Sequence, residues 1–133
     1  NYICLNLFGS KYLFILRNMW VKKQFLMERL FIMQAKYDKF QEYVLEIGRR
    51  MVMCGSEVRR VEDTIIRICN AYDIKVCNVY AITTLIVMTM KDSEGRHYTQ
   101  SVRINSTATD LGQLESLNAM AREICSKVPL FLK

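Results

Sequence analysis

The spacing of apolar residues changes twice along this 133-residue chain, and the two changes restrict the folds that it can adopt. Apolar residues recur every three or four positions from Asp38 to Tyr72, at every second position from about 76 to 104, and at helical spacing again after Asp110. The first and last patterns are typical of amphipathic helices, and the middle one of half-buried strands. The sequence therefore predicts the element order ααβββα, an α+β fold with a three-stranded, mostly antiparallel sheet covered by helices.

The two helices predicted before the strands are separated by a short corner. The first spans about residues 38–54 and ends at Gly55, a residue suited to a left-handed cap. Ser56 offers a side-chain oxygen for the N-terminal cap of the second helix, which runs to about Tyr72. An apolar stripe defines the inner face of this second helix: Val58, Val61, Ile65, Ile68 and Tyr72.

The strands are predicted at about 76–80 and 84–90, followed by a hairpin whose loop contains Gly95 and whose last strand begins near His97. In this last strand, alternation places one set of residues on the inner face: Tyr98, Gln100, Val102 and Ile104. Asp110 is predicted to cap the third helix, with Gln113 at the spacing of a capping box. The inner stripe of that helix is predicted to consist of Leu111, Leu114, Leu117, Ala121 and Ile124.

The formal charge of +6 is distributed unevenly, which weakens its value as a sign of nucleic-acid binding. Residues 1–38 hold six basic and two acidic side chains, so the remaining 95 residues have a net charge of only +2. The second helix follows a short turn and is basic, as in a helix-turn-helix. However, Glu57, Glu62 and Asp63 occupy its first turns, where they would face phosphates. We expect no nucleic-acid partner.

Other function classes lack their usual residues. Five cysteines without C-x-x-C spacing indicate reduced thiols in a reducing compartment. His97 is the only histidine, so we expect no metal site. The chain also lacks a glycine-rich phosphate loop, so we expect no nucleotide cofactor. No nucleophile lies in a catalytic signature, so no enzymatic activity is assigned. Charges interrupt every apolar run that could otherwise span a membrane.

The charged residues of the second helix have two interpretations. Asp63 lies opposite the inner stripe, four residues from both Arg59 and Arg67, as in a ladder of weak surface ion pairs. Glu62 instead lies on a second, partly apolar strip with Ile66 and Cys69. This strip predicts a cover provided either by the first helix or by a partner that the chain lacks. Structural anchoring and a functional role for Glu62 both remain open.

Three blocks in order carry a resemblance to a known family: "CGSEVRRVEDTIIRICNAYD", "VYAITTLIVMTM" and "STATDLGQLESLNAMAREIC". Together they resemble the N-terminal domain of the threonine/serine exporter family, over roughly residues 38–128. Residues of the first block that match the family pattern are Gly55, Ser56, Glu57, Arg60, Val61, Glu62, Asp63, Thr64, Arg67 and Ile68. Those of the last block are Leu117, Asn118, Ala121, Arg122 and Ile124. The middle block departs from it, because many members carry Thr-Pro-Thr where this chain has Ile82, Thr83 and Thr84.

The resemblance implies that this is a soluble, cytoplasmic domain preceding a transmembrane region of the same protein, in some members assisted by a second small membrane subunit. The full-length protein would then be a cell-membrane exporter of small amino acids or related carboxylates, with this domain in a regulatory or gating role. Residues 1–37 would be an N-terminal extension, 38–128 the family domain, and 129–133 a lead-in to the membrane region. The functional surface is expected to include Arg60, Glu62, Asp63, Thr64, Arg67 and Thr84.

A second hypothesis from another class is a free-standing α+β module that binds a small molecule or dimerises. A three-stranded sheet leaves a face or an edge exposed, so self-association is expected under either hypothesis.

Overall fold

The computed structural model describes residues 3–127, without the side chains of residues 3–18, 20, 21 and 25. The chain divides into two compact units, Asn1–Lys36 and Tyr37–Lys133. The first unit contains the N-terminal part of helix α1, which spans Ile3–Met53. Several of its described apolar side chains are exposed: Met19, Leu26, Met27, Phe31 and Ile32. Among residues 3–127, no helix has both the length and the apolarity needed to cross a membrane.

The start of α1 differs from the prediction. Periodicity placed the first helix at about residue 38, whereas the structure begins it at Ile3. The reason is local propensity, because residues 3–37 contain no proline and are rich in good helix formers such as leucine, methionine and lysine. This part of α1 can therefore be helical without the clear apolar stripe that indicated the helix after residue 38.

The second unit confirms the predicted α+β class. After the end of α1, its elements are α2 Val58–Ala71, β1 Val76–Ile82, β2 Leu85–Lys91, β3 His97–Arg103 and α3 Leu111–Lys127. The strands form one antiparallel sheet in the order β1-β2-β3. The first strand extends two residues beyond the prediction, to Ile82, which pairs with Leu85 across a two-residue turn. The second strand has the predicted length but lies one residue later in the chain.

The core lies between α1, α2 and the inner face of the sheet. The alternation of β2 buries Ile86, Met88 and Met90, and that of β3 buries Tyr98. Helix α1 approaches α2 and the sheet closely at Gly48, where an added Cβ would lie 2.8 Å from Ile65 Cδ1. A side chain at this position would therefore have to displace the terminal methyl group of Ile65, which lies in a tightly packed crossing.

The corner between α1 and α2 also holds the start of α3. Gly55 has the predicted left-handed conformation, with φ of +89°. The backbone N–H of Asp110 donates to the carbonyl oxygen of Cys54 at 3.1 Å. Both α2 and α3 therefore begin beside the end of α1.

The caps at this corner are only partly as predicted. Ser56 does not cap α2, because the helix begins one residue later, with Glu57 at its cap and no side-chain bond. Asp110 does cap α3, since its Oδ1 accepts from the Gln113 N–H at 2.9 Å. The Gln113 side chain accepts from the Cys54 thiol instead of completing the box. Leu111 is 71% exposed, so its predicted place in the inner stripe is wrong.

A buried carboxylate organises the loop between β2 and β3. The two Asp92 oxygens accept from the backbone N–H groups of Glu94 and Arg96, from Arg96 Nε at 2.7 Å and from the Tyr98 hydroxyl at 3.0 Å. Burial acts to raise the pKa of Asp92, but the bonds from Arg96 and Tyr98 outweigh it and hold the pKa below its usual value. All of the hydrogen-bonding capacity of this carboxylate is used by the fold.

Candidate functional site

A polar cleft between α2 and α3 contains most of the residues singled out from the sequence. We call it the arginine cleft; its volume is about 450 Å³. It is lined by Glu57, Arg59, Arg60, Asp63, Thr64 and Arg67 from α2 and its cap, and by Asn118 and Arg122 from α3. Four of the six predicted surface residues therefore lie together in one concave site.

The two walls of the cleft run side by side. Both helices begin at the same corner, and their far ends meet again, since Ile68 of α2 and Ile124 of α3 line one apolar groove. Arg67 lies close enough to Cys125 of α3 to oppose electrostatically the increase in pKa that burial causes at that thiol. The cleft is thus bounded by two roughly parallel helices.

The spacing of residues along each wall explains why they converge. Arg60 and Arg67 are seven residues apart, which is two helical turns and about 10 Å along the axis of α2. Asp63 and Thr64 occupy the turn between them. On α3, Asn118 and Arg122 are four residues apart and so share one face, beside the buried stripe of Leu114, Leu117 and Ala121.

The charges in the cleft are not paired with each other. Within the described part of the chain, the ion pairs are located elsewhere, and none joins Glu57, Asp63 or a cleft arginine to an opposite charge within 4 Å. The predicted ladder of Arg59, Asp63 and Arg67 is therefore wrong. An exposed i,i+4 pair gains too little Coulomb energy to guarantee that two long side chains are held in one geometry. The charged groups of the cleft are therefore not neutralised by ion pairs among the described residues.

Thr64 is the most enclosed of the cleft residues. It is buried, and its hydroxyl donates to the backbone oxygen of Arg60 at 2.8 Å, one turn earlier. The bond occupies the hydroxyl proton and leaves the oxygen able to accept. Thr64 therefore offers an acceptor at the floor of the cleft.

Glu62 lies outside the cleft, on the strip that faces β1. Its Oε1 accepts from the backbone N–H of Ala81 at 2.8 Å. On the same strip, Cys69 is fully buried, and the neighbouring Cys77 thiol of β1 and burial together raise the pKa of its thiol. The cover of this second strip is thus a strand of the same domain, rather than the first helix or an absent partner as predicted. Of the two roles left open for Glu62, this bond supports structural anchoring.

Thr84 is also separate from the cleft. It is exposed in the turn between β1 and β2, and its backbone oxygen accepts from the Ile104 N–H at 2.9 Å. Thr84 therefore lies at the end of the sheet where β1 turns into β2.

The cleft also contains residues that were not selected from the sequence: Glu57, Arg59, Asn118 and Arg122. For the two on α3 a signal was available, because both belong to the last block of the family resemblance and flank the apolar stripe of that helix. What the sequence could not provide was the placement of α3 beside α2.

A comparison with known protein families supports the resemblance carried by the three sequence blocks. The ThrE family model, described as "Putative threonine/serine exporter", matches residues 42–130. No curated protein and no solved structure matches the chain significantly. The matched region includes α2, the whole sheet, α3 and therefore every residue of the arginine cleft. The chain belongs to the threonine/serine exporter family.

Proposed function

We propose that this chain is the regulatory or gating domain of a membrane exporter of small amino acids, of the threonine/serine type, or of related carboxylates. The observation that carries the proposal is the arginine cleft, a concave site within the region that the family model matches, whose charges form no ion pair among the described residues. The domain would lie on the cytoplasmic side and act on a transmembrane region of the same protein.

The construction of the cleft suits a gate. Its two walls start at one corner, where Asp110 bonds to Cys54 next to the left-handed Gly55, and they approach each other again where Ile68 and Ile124 line one apolar groove. Away from this corner, no ion pair fixes one wall to the other among the described residues. A ligand that binds both walls would favour one separation of α2 and α3 over others, which is how a binding event shifts a conformational equilibrium.

The residues expected at the functional surface have different roles in this proposal. Arg60, Asp63, Thr64 and Arg67 line the cleft and are proposed to contact its ligand. Glu62 supports the packing of α2 on β1, and Thr84 lies in a turn available to a neighbouring segment. The membrane region, a second small membrane subunit and a second copy of the chain are the proposed partners.

The test uses the complete protein that contains this domain, expressed in cells that lack their own threonine export. Efflux of threonine, serine and several dicarboxylates is measured together with the amount of protein in the membrane fraction. We expect Arg60→Gln and Arg67→Gln to change efflux about fivefold or more, because coupling between a regulatory site and a transport site is of that order. The matched control is Arg103→Gln, an exposed arginine on β3.

Unchanged efflux in both cleft variants, at equal membrane abundance, would contradict the regulatory role. Recovery of the complete gene product outside the membrane fraction would instead favour the second hypothesis, a free-standing binding module that uses the same cleft.

A further inference from the structure

The sign of the charge in the arginine cleft restricts what can bind there. Its side chains include four guanidinium groups and two carboxylates, which gives a net charge of +2. A zwitterion such as a neutral amino acid would leave this excess uncompensated. A ligand with two negative charges would neutralise it, and opposite charges within a few ångströms attract most strongly where water is partly excluded.

The nature of the positive groups adds a preference for oxyanions. An arginine presents a planar fork of N–H donors that matches the two oxygens of a carboxylate or phosphate, which a lysine cannot do. Every cation that lines the cleft is an arginine. Arg67 and Arg122 belong to different walls, so one oxyanion between them would be held from both sides.

The dimensions of the cleft set an upper limit on the ligand. A volume of about 450 Å³ lies within the range of small-molecule sites. Arg60 lies two turns from Arg67, so a second anionic group of the same molecule can reach it only if the molecule extends along α2. Asn118 adds an amide donor on the opposite wall.

We propose that the arginine cleft binds a small dianion whose charges are carried by carboxylate or phosphate groups, held between α2 and α3 by Arg67 and Arg122. This inference rests on the proposed function, because it names the ligand class of the regulatory site. Dicarboxylates and phosphates share the oxyanion chemistry that the arginines recognise.

The experiment is calorimetric titration of the 133-residue chain at constant ionic strength and pH 7.5. The probes are malonate and inorganic phosphate as dianions, acetate as a monoanion, and threonine as a zwitterion. We expect one or both dianions to bind at least about tenfold more tightly than acetate or threonine, since each lost charged contact costs about that factor. Malonate binding alone identifies a dicarboxylate site, and phosphate binding alone a phosphate site; either supports the proposal.

Variants assign the binding to the cleft. Arg67→Gln and Arg122→Gln should each weaken the dianion about tenfold or more, while Arg103→Gln should leave the affinity unchanged. Each variant should fold, because all three side chains are exposed and none is hydrogen-bonded in the described structure. Circular dichroism checks this expectation.

Three results would overturn the proposal: no heat of binding for either dianion up to about 10 mM, equal affinity for threonine, or equal loss of affinity in the Arg103→Gln control. The efflux assay separates this inference from the proposed function. Cleft-specific dianion binding with unchanged efflux in Arg67→Gln supports the ligand and removes the regulatory role. Altered efflux without dianion binding overturns the ligand and keeps the regulatory role.

Discussion

The two faces of α2 differ in almost every physical respect although they belong to one fourteen-residue helix. On the inner face, Val61, Ile65 and Ile68 are at most 1% exposed and pack in the core. On the outer face, Arg60, Asp63 and Arg67 are exposed and make no ion pair within the described structure.

The difference shows which part of the helix stabilises the domain. Burial of apolar side chains contributes about 1.5–3 kcal/mol each, whereas exposed charges contribute a few tenths. The identity of the outer residues is therefore not explained by folding. The ligand proposed for the arginine cleft would give a reason for placing the three arginines of α2 beside Arg122 of α3.

The largest effect is expected on the inner face. Ile65→Ala should lower the free energy of unfolding by about 2–5 kcal/mol, because it leaves a cavity where α1 crosses α2 at Gly48. Urea denaturation followed by circular dichroism measures it. Arg59→Ala on the outer face is the control and should change stability by less than about 0.5 kcal/mol. Similar losses in both variants would contradict the division of the helix into two faces.

A buried carboxylate gives the scale for an aspartate that the fold uses fully. Asp92→Asn should cost about 2 kcal/mol at pH 7, because hydrogen bonds from Arg96 and Tyr98 to a charged group are lost. The folded pKa of Asp92 is lowered, so its contribution is complete above the unfolded pKa and is lost as the pH falls through the folded value. The gap between wild type and Asp92→Asn should therefore close in acid. A gap that stays constant down to about pH 2 would contradict this assignment.

The flank between the two faces of α2 is expected to give an intermediate effect. Glu62→Ala removes the acceptor for the buried N–H of Ala81 and should cost about 1–2 kcal/mol. Glu62→Gln keeps an oxygen in place and is the matched control, with most of the stability retained. Amide hydrogen exchange at Ala81 reports the bond directly, and unchanged protection in Glu62→Ala would show that the contact is not significant in solution.

The smallest change in stability is expected at Asp63. Asp63→Asn should alter the free energy of unfolding by less than about 0.5 kcal/mol, since the carboxylate is exposed and forms no ion pair with any described residue. The same substitution raises the net charge of the arginine cleft from +2 to +3, so dianion binding should become about threefold tighter. Titration of malonate or phosphate into this variant measures the change. Weaker binding would mean that Asp63 itself contacts a positive part of the ligand.

Features set by local chemistry could be predicted from the sequence. The inner stripe of α2, the left-handed Gly55 and the cap at Asp110 depend only on residues a few positions apart, and the structure contains all three. The buried face of β3 could also be predicted, because the alternation of apolar and polar residues determines it.

Features that depend on distant segments could not be predicted. The ladder of charges on α2 was inferred from i,i+4 spacing alone, and spacing does not show whether weak exposed pairs will form. The cover of the Glu62 strip depends on where β1 lies, and the arginine cleft on where α3 lies. Asn118 is more than 50 positions from Asp63 in the chain, and only tertiary packing makes them neighbours.

The bond from Glu62 to Ala81 also affects how the domain can assemble. A free backbone N–H on an outer strand is a point at which another chain can add its own strand. At Ala81 that donor is already occupied by α2, so extension of the sheet there would require breaking the helix contact first. The opposite edge of the sheet, along β3, is the other outer strand to which a copy of the chain could add its own strand.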